Sequence, residues 1–201
     1  MEEISIERRH VHHIDPAVGY ESAKLGMWLF LATELLLFGG LFAAYTIFRA
    51  KYPALFEEQH LELNKTLGAL NTVILIFSSL TMAMGVTCIQ RGNRKLLTIF
   101  LAITIICGLV FGLNKYFEYS AKFHHHIYPS TSIFFALYFM MTGLHMLHVL
   151  AGVSTLTVLL VLNLRGKFSE TYNAPIEIGG LYWHLVDLIW IYLFPLLYLI
   201  A

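Results

Sequence analysis

Charged residues are scarce in this chain: Asp, Glu, Lys and Arg make up 13% of its 201 residues, against about 25% in a typical soluble domain. Because 58% of the residues are hydrophobic, a disordered chain is excluded and an ordinary soluble fold is disfavoured. The 13 basic residues balance the 13 acidic ones. The net charge therefore gives no indication that the chain binds nucleic acid or an acidic substrate. The two cysteines, Cys88 and Cys107, lie in apolar segments, so neither a disulfide framework nor a thiolate zinc site is expected.

What the chain does contain is long hydrophobic runs. A membrane-spanning helix needs about 20 mostly apolar residues, and five segments meet this requirement. They are 25–48, 67–89, 96–117, 133–162 and 180–200. Residues 1–24 are polar, lack the apolar region of a signal peptide and are expected to form a solvated tail. Because each span must satisfy its own backbone hydrogen bonds, the sequence predicts an all-α integral membrane protein, a five-helix bundle forming one domain over 1–201.

The distribution of basic residues predicts the orientation. Eight Lys and Arg residues fall on the side of the N-terminal tail, where the RGNRK turn at 91–95 is the clearest marker. Five fall on the other side, namely Arg49, Lys51, Lys65, Lys115 and Lys122. By the positive-inside rule, the N-terminus is expected to be cytoplasmic and the C-terminus external.

Glu34 lies in the middle of the first apolar run. Placing an ionisable group near the centre of the hydrocarbon costs roughly 2.5 kcal/mol or more. The carboxyl group is therefore expected to face protein, a lipid headgroup or a water-filled path. Two interpretations remain open: a structural hydrogen bond to a neighbouring helix, or a group that exchanges protons or contacts lipid.

Two histidine motifs lie in the later spans. His145 and His148 are three residues apart and so share a helix face, as do His184 and Asp187, which form a plausible local pair. For both motifs, a structural role in pairing helices is favoured over direct participation of these side chains in a chemical reaction. Counted from the cytoplasmic side, His148 lies roughly 21 Å and His184 roughly 6 Å into their spans, so a haem held by both is not expected.

The sequence also lacks recognisable catalytic and metal-binding motifs. No zinc-protease pattern such as H-E-x-x-H is present, and the triple histidine 124–126 is interpreted as a solvated loop that could take up adventitious metal. No nucleophile–base arrangement or phosphate-binding loop is evident. We therefore expect no catalytic centre, metal or cofactor in this chain.

Six short runs match one known family in order. They are GMWLFLATE at 26–34, LNT at 70–72, RGNRK at 91–95, FEY at 117–119, TGLH at 142–145 with the following His148, and YWHLVDLIW at 182–190. The last run is the most specific. Through these motifs the chain resembles subunit III of cytochrome c oxidase and related haem–copper terminal oxidases, in a short five-helix bacterial form. Longer members of that family have seven helices.

The resemblance implies a fold, partners and a location. The expected fold has two sub-bundles with a V-shaped lipid cleft, docked against the catalytic subunit I. Subunits II and IV and a respiratory supercomplex are further expected partners; nucleic acid is not. Haem and copper would reside in the partner subunits and phospholipids would bind here, in a bacterial cytoplasmic (inner) membrane. The roles attributed to such a subunit are support of proton uptake, protection against turnover inactivation, and lipid and oxygen access.

Two sets of candidate residues follow from the motifs. The buried polar or proton-related candidates are Glu34, Asp187, His184, His145, His148 and Glu118. The lipid-binding candidates are Trp28, Trp183, Trp190, Arg91 and Arg94.

Alternatives within the family are a quinol oxidase subunit III and an accessory protein of a nitric oxide reductase. A stand-alone proton channel using Glu34 and Asp187 is disfavoured because Pro195 is the only proline deep in a span, and a di-haem cytochrome is disfavoured further.

Overall fold

The computed structural model describes residues 16–200, and these residues are almost entirely helical. The helices are α1 Pro16–Lys51, α2 Pro53–Gln59, α3 Lys65–Gln90, α4 Arg94–His124, α5 Ile133–Leu164 and α6 Ala174–Phe194, with a 3-10 turn at His60–Glu62 and a π-helical turn at Pro195–Leu199. Within this described part, five of the six α-helices, all but α2, are long and apolar enough to cross a membrane. The predicted fold class is therefore confirmed.

Polar capping residues explain where several helices begin. The side chains of Asn64, Asn93 and Ser132 each accept a hydrogen bond from the backbone N–H three residues later, at the starts of α3, α4 and α5. Such caps satisfy amide groups that have no partner within the helix. Hydropathy alone places these starts within a few residues of the capped positions.

The ends that hydropathy misplaces are those where a helix continues into polar sequence. α1 begins at Pro16 rather than at residue 25, so residues 16–24 of the predicted solvated tail are helical. Residues 1–15 of that tail lie outside the described residues. α4 continues past residue 117 to His124, and α6 begins at Ala174 rather than at residue 180. Propensity and tertiary contacts extend these helices beyond their apolar runs.

Helices α3, α4, α5 and α6 form a four-helix bundle, and α1 packs along its edge against α5 and α6. In the most apolar window of α1 only 11% of the residues are buried, against 50% in α6. Within residues 16–200 no second multi-helix bundle faces α1. The V-shaped lipid cleft between two sub-bundles therefore stays a prediction.

Small residues allow the bundle helices to approach Trp183 of α6. A Cβ added at Gly108 of α4 would lie 2.7 Å from the indole ring, and one added at Gly152 of α5 would lie 2.8 Å from it. The ring thus occupies the space that side chains at these two positions would need. This close approach is the usual role of small residues between membrane helices.

Candidate functional site

The carboxyl group of Glu34 is paired with a histidine on another helix. Glu34 Oε2 of α1 lies 2.8 Å from His148 Nε2 of α5, and His148 Nδ1 lies 2.8 Å from the Leu144 carbonyl oxygen. A carbonyl oxygen only accepts hydrogen bonds, so Nδ1 carries the hydrogen of that second bond. One proton then lies between Nε2 and Oε2, carried either by the carboxyl or by a cationic imidazole. The pair is partly exposed, with 14% and 15% of the two side chains accessible.

His145 and His148, predicted to share a face, occupy different environments. His148 points to α1, where Phe38 meets its ring edge-on at 5.3 Å. His145 is fully buried in the bundle between Phe111 and Trp190, whose rings lie 5.6 and 5.4 Å away. Neither nitrogen of His145 has a hydrogen-bond partner in the described part of the chain. The two histidines therefore serve separate contacts.

His184 and Asp187 are not hydrogen-bonded to each other among the described residues, so their predicted direct pairing is wrong. His184 Nδ1 lies 2.7 Å from the Ser79 hydroxyl of α3. Asp187, which is 2% exposed, has its Oδ2 3.4 Å from the Ser78 hydroxyl. Three-residue spacing permits a contact within a helix, but here both side chains turn to consecutive serines on the neighbouring helix.

The most extensive buried polar cluster was only partly predicted. We call it the Lys115 cluster: Lys115 and Glu118 of α4, Tyr138 of α5 and Tyr198 of the C-terminal π-helical turn. Lys115 Nζ lies 3.0 Å from Glu118 Oε2 and from both tyrosine hydroxyls. Glu118 Oε1 accepts from the hydroxyls of Tyr138 and Tyr198 at 2.8 and 2.6 Å.

The sequence count places Lys115, near the end of the span 96–117, and Lys122, in the connection after it, among the basic residues of the external side; the structure instead places both side chains inside the bundle. Both lie within α4 and are 1% and 5% exposed. Lys122 Nζ donates to the Glu62 carbonyl oxygen at 3.2 Å. The spacing of Lys115 and Glu118 could have indicated a shared helix face, but no sequence pattern indicates the two tyrosines, which come from distant segments.

The lipid-binding candidates divide into two groups. Trp183 and Trp190 are both fully buried, so the prediction that they contact lipid is wrong. Their indole N–H groups donate to protein oxygens, to Ser78 Oγ at 3.1 Å and to Thr72 Oγ1 at 3.0 Å. Trp28, which is 55% exposed, and the Arg91 and Arg94 side chains remain on the surface.

Among residues 16–200, no three or more His, Cys, Asp or Glu side chains lie close enough together to hold a metal ion. The triple histidine lies at the end of α4, where His124 is the last helical residue and His126 adopts a positive φ of 58°. All three of these histidines are exposed.

The motifs recognised in the sequence therefore converge on helix–helix contacts in a membrane bundle, and comparison with known proteins identifies the family. The family model described as cytochrome c oxidase subunit III matches residues 2–201. The chain belongs to this family. It is thus a subunit III of a haem–copper oxidase.

Curated relatives include both oxidase types. The cytochrome c oxidase subunit 3 of Synechocystis sp. is 36% identical over 192 residues, which cover 95% of this chain and 79% of the relative. The probable cytochrome c oxidase subunit 3 of Nocardia farcinica is 32% identical, over 88% of this chain and 87% of the relative. The probable quinol oxidase subunit 3 of Staphylococcus aureus is 30% identical over 184 residues, 90% of each chain. The similarity thus fixes the subunit but not the electron donor of the complex.

Proposed function

We propose that this chain is the cofactor-free subunit III of a proton-pumping cytochrome c oxidase in a bacterial cytoplasmic membrane. In this proposal it docks against the catalytic subunit I, with subunits II and IV as further partners, and those partners hold the haem and copper. The observation that carries the proposal is the Glu34–His148 pair, found in a chain that matches the subunit III family along almost its entire length.

The pair is suited to holding a proton inside the membrane. Its side chains are neither sealed in the core nor fully exposed, and a carboxyl group kept at such a position without function would be costly. The pair joins α1 to α5, so it also fixes the outer helix on the bundle. We infer that it supports proton supply to the catalytic subunit and protects that subunit from inactivation during turnover.

The proposed orientation places the N-terminus in the cytoplasm. Because Lys115 and Lys122 are buried in α4, they no longer count as exposed charges on the external side. The excess of basic residues on the side of the 91–95 turn is therefore larger than the sequence count suggested, which supports this orientation. On the same side, Arg91 and Arg94 are exposed and available to phospholipid headgroups, while the indole of Trp28 offers a further lipid contact on α1.

The Glu34→Gln variant tests the proton role. We expect normal haem content and initial oxygen consumption, with a lower proton-to-electron ratio or faster inactivation during turnover, because the amide cannot hold a titratable proton. Glu57→Gln, on the exposed surface of α2, is the matched control. If Glu34→Gln behaves like this control in both measurements, the pair is purely structural.

The subunit assignment has its own test. Detergent extraction of a tagged chain should recover a stoichiometric complex that contains haem and copper, identified by mass spectrometry and visible absorption. A chain that repeatedly purifies alone, monomeric and stable, would contradict the assignment.

A quinol oxidase is the second candidate, because the Staphylococcus aureus relative named for that activity aligns over 90% of this chain. The purified complex would distinguish the two by its electron donor. Oxygen consumption driven by reduced cytochrome c supports the first assignment, and consumption driven only by a quinol supports the second.

A further inference from the structure

Asp187 carries a buried carboxyl oxygen for which the surrounding protein provides no partner. The residue is 2% exposed in the interior of the four-helix bundle, and its Oδ1 makes no hydrogen bond to any residue between 16 and 200. Nearly all buried polar atoms in proteins are paired with protein or with ordered water, so each exception needs an explanation. Oδ2 has only the 3.4 Å contact to Ser78 Oγ.

Ser78 does not satisfy this carboxyl group. A serine hydroxyl has one hydrogen to donate, and Ser78 has two acceptors for it: the Leu75 carbonyl oxygen at 2.8 Å and Asp187 Oδ2 at the longer distance of 3.4 Å. Ser78 Oγ itself accepts the indole N–H of Trp183 at 3.1 Å. One hydrogen cannot serve both acceptors, and Oδ1 has no donor in the described part of the chain, so the carboxyl group needs another partner.

The neighbouring polar groups lead from Asp187 to a cavity. Ser79 follows Ser78 on α3, and its hydroxyl is 2.7 Å from His184 Nδ1. His184, one helical turn before Asp187, lines a cavity of about 290 Å³ together with Lys24, Ala83 and Glu177. A single imidazole thus lies between Ser79 and the cavity.

The cavity lies at the polar end of the bundle, the end that carries the 91–95 turn. Glu177 there accepts hydrogen bonds from Tyr20 of α1 and Gln90 of α3, both at 2.6 Å. These bonds tie α1, α3 and α6 together around the cavity and occupy both carboxylate oxygens of Glu177. Lys24 supplies the cationic group of the cavity wall.

We propose that this cavity, His184 and Ser79 form a water-filled access route through which Asp187 binds water and exchanges a proton with the aqueous phase. A water molecule hydrogen-bonded to Oδ1 meets the need of the unpaired atom, since buried water typically makes two to four bonds to polar groups. The route is separate from the Glu34–His148 pair and does not rest on the proposed function.

The proton transfer balances without any redox partner. A proton leaving Asp187 moves to the bound water, which passes one of its own protons to the Ser79 oxygen. Ser79 gives its hydroxyl hydrogen to His184 Nδ1, and His184 releases the hydrogen of Nε2 to water in the cavity. Only O–H and N–H bonds form and break.

Infrared hydrogen–deuterium exchange on the intact complex tests the proposal. The carboxylic acid band of Asp187 is assigned from the difference between wild type and Asp187→Asn. We expect this band to shift on transfer to heavy water in the wild type. The shift should be lost within the same exchange time in His184→Phe, which removes the relay, but retained in Glu34→Gln, which removes a carboxyl group elsewhere.

Three results would overturn the proposal: an Asp187 band that does not shift in wild type, a shift that is unchanged in His184→Phe, or no acid band from Asp187 at any pH where the complex is intact. If Asp187→Asn fails to assemble, Asp187→Glu provides the assignment, because its carboxyl band moves in frequency. If His184→Phe fails to assemble, Ala83→Phe fills the same cavity from α3. Retention of the full shift in that variant would equally refute the route.

Discussion

The buried Lys115 cluster should be sensitive to loss of its single carboxylate. Glu118 accepts hydrogen bonds from Lys115 Nζ and from the hydroxyls of Tyr138 and Tyr198, all within 3.0 Å. Lys115 is 1% exposed, so after Glu118→Gln its charge stays in the core without a counter-ion. Breaking a buried ion pair by removing one partner costs about 3–5 kcal/mol, and we expect Glu118→Gln to lower the free energy of unfolding by that amount.

The measurement is denaturant-induced unfolding of this subunit within the purified oxidase complex in mixed detergent micelles, with Glu58→Gln as control. Glu58 is exposed on α2, and such a surface change is worth within about 0.5 kcal/mol. The double variant Lys115→Met with Glu118→Gln should cost less than the two single changes added together, because it no longer leaves a buried charge unpaired. Equal costs for Glu118→Gln and Glu58→Gln, or strict additivity in the double variant, would refute the reasoning.

Two further predictions concern packing and the C-terminal turn. Gly108→Ala should destabilise the bundle by about 1–3 kcal/mol, because its methyl group would lie 2.7 Å from Trp183. Gly112→Ala, whose methyl would meet only one atom, at 3.9 Å, should be tolerated in the same unfolding assay; similar losses would contradict this packing argument. Tyr198→Phe removes a 2.6 Å hydrogen bond to the buried carboxylate and should cost about 1.5–3 kcal/mol. Tyr192→Phe, at a 61% exposed position, is its control, and equal effects would count against a role for the hydroxyl.

The sequence was sufficient to predict the number and type of spanning helices, because hydropathy over about 20 residues reflects the thickness of the bilayer directly. It was insufficient at helix ends such as Pro16 and Ala174, where polar residues continue the helix outside the apolar run. The capped starts at Asn64, Asn93 and Ser132 lie close to the predicted ones, because an N-cap is a local feature of the sequence.

The sequence was sufficient to identify the residues of the candidate site, but it did not show which side chains they contact. Glu34, His148 and Asp187 stood out because polar groups are rare in apolar helices. Their contacts depend on which helix faces which, and spacing within one helix does not contain that information. The same limit explains the error at His184, since three-residue spacing on α6 gave no indication of the serine on α3.

The Glu34–His148 bond also constrains the order in which the protein can be completed. The two residues are separated by 114 positions, and synthesis proceeds at roughly 5–20 residues per second. The carboxyl group of the first span must therefore wait roughly 6 to 23 seconds after its own synthesis before its imidazole partner has been made. During that interval the Glu34 carboxyl lacks this partner, so the bond that joins α1 to α5 can form only after the four helices from α1 to α4 have been made.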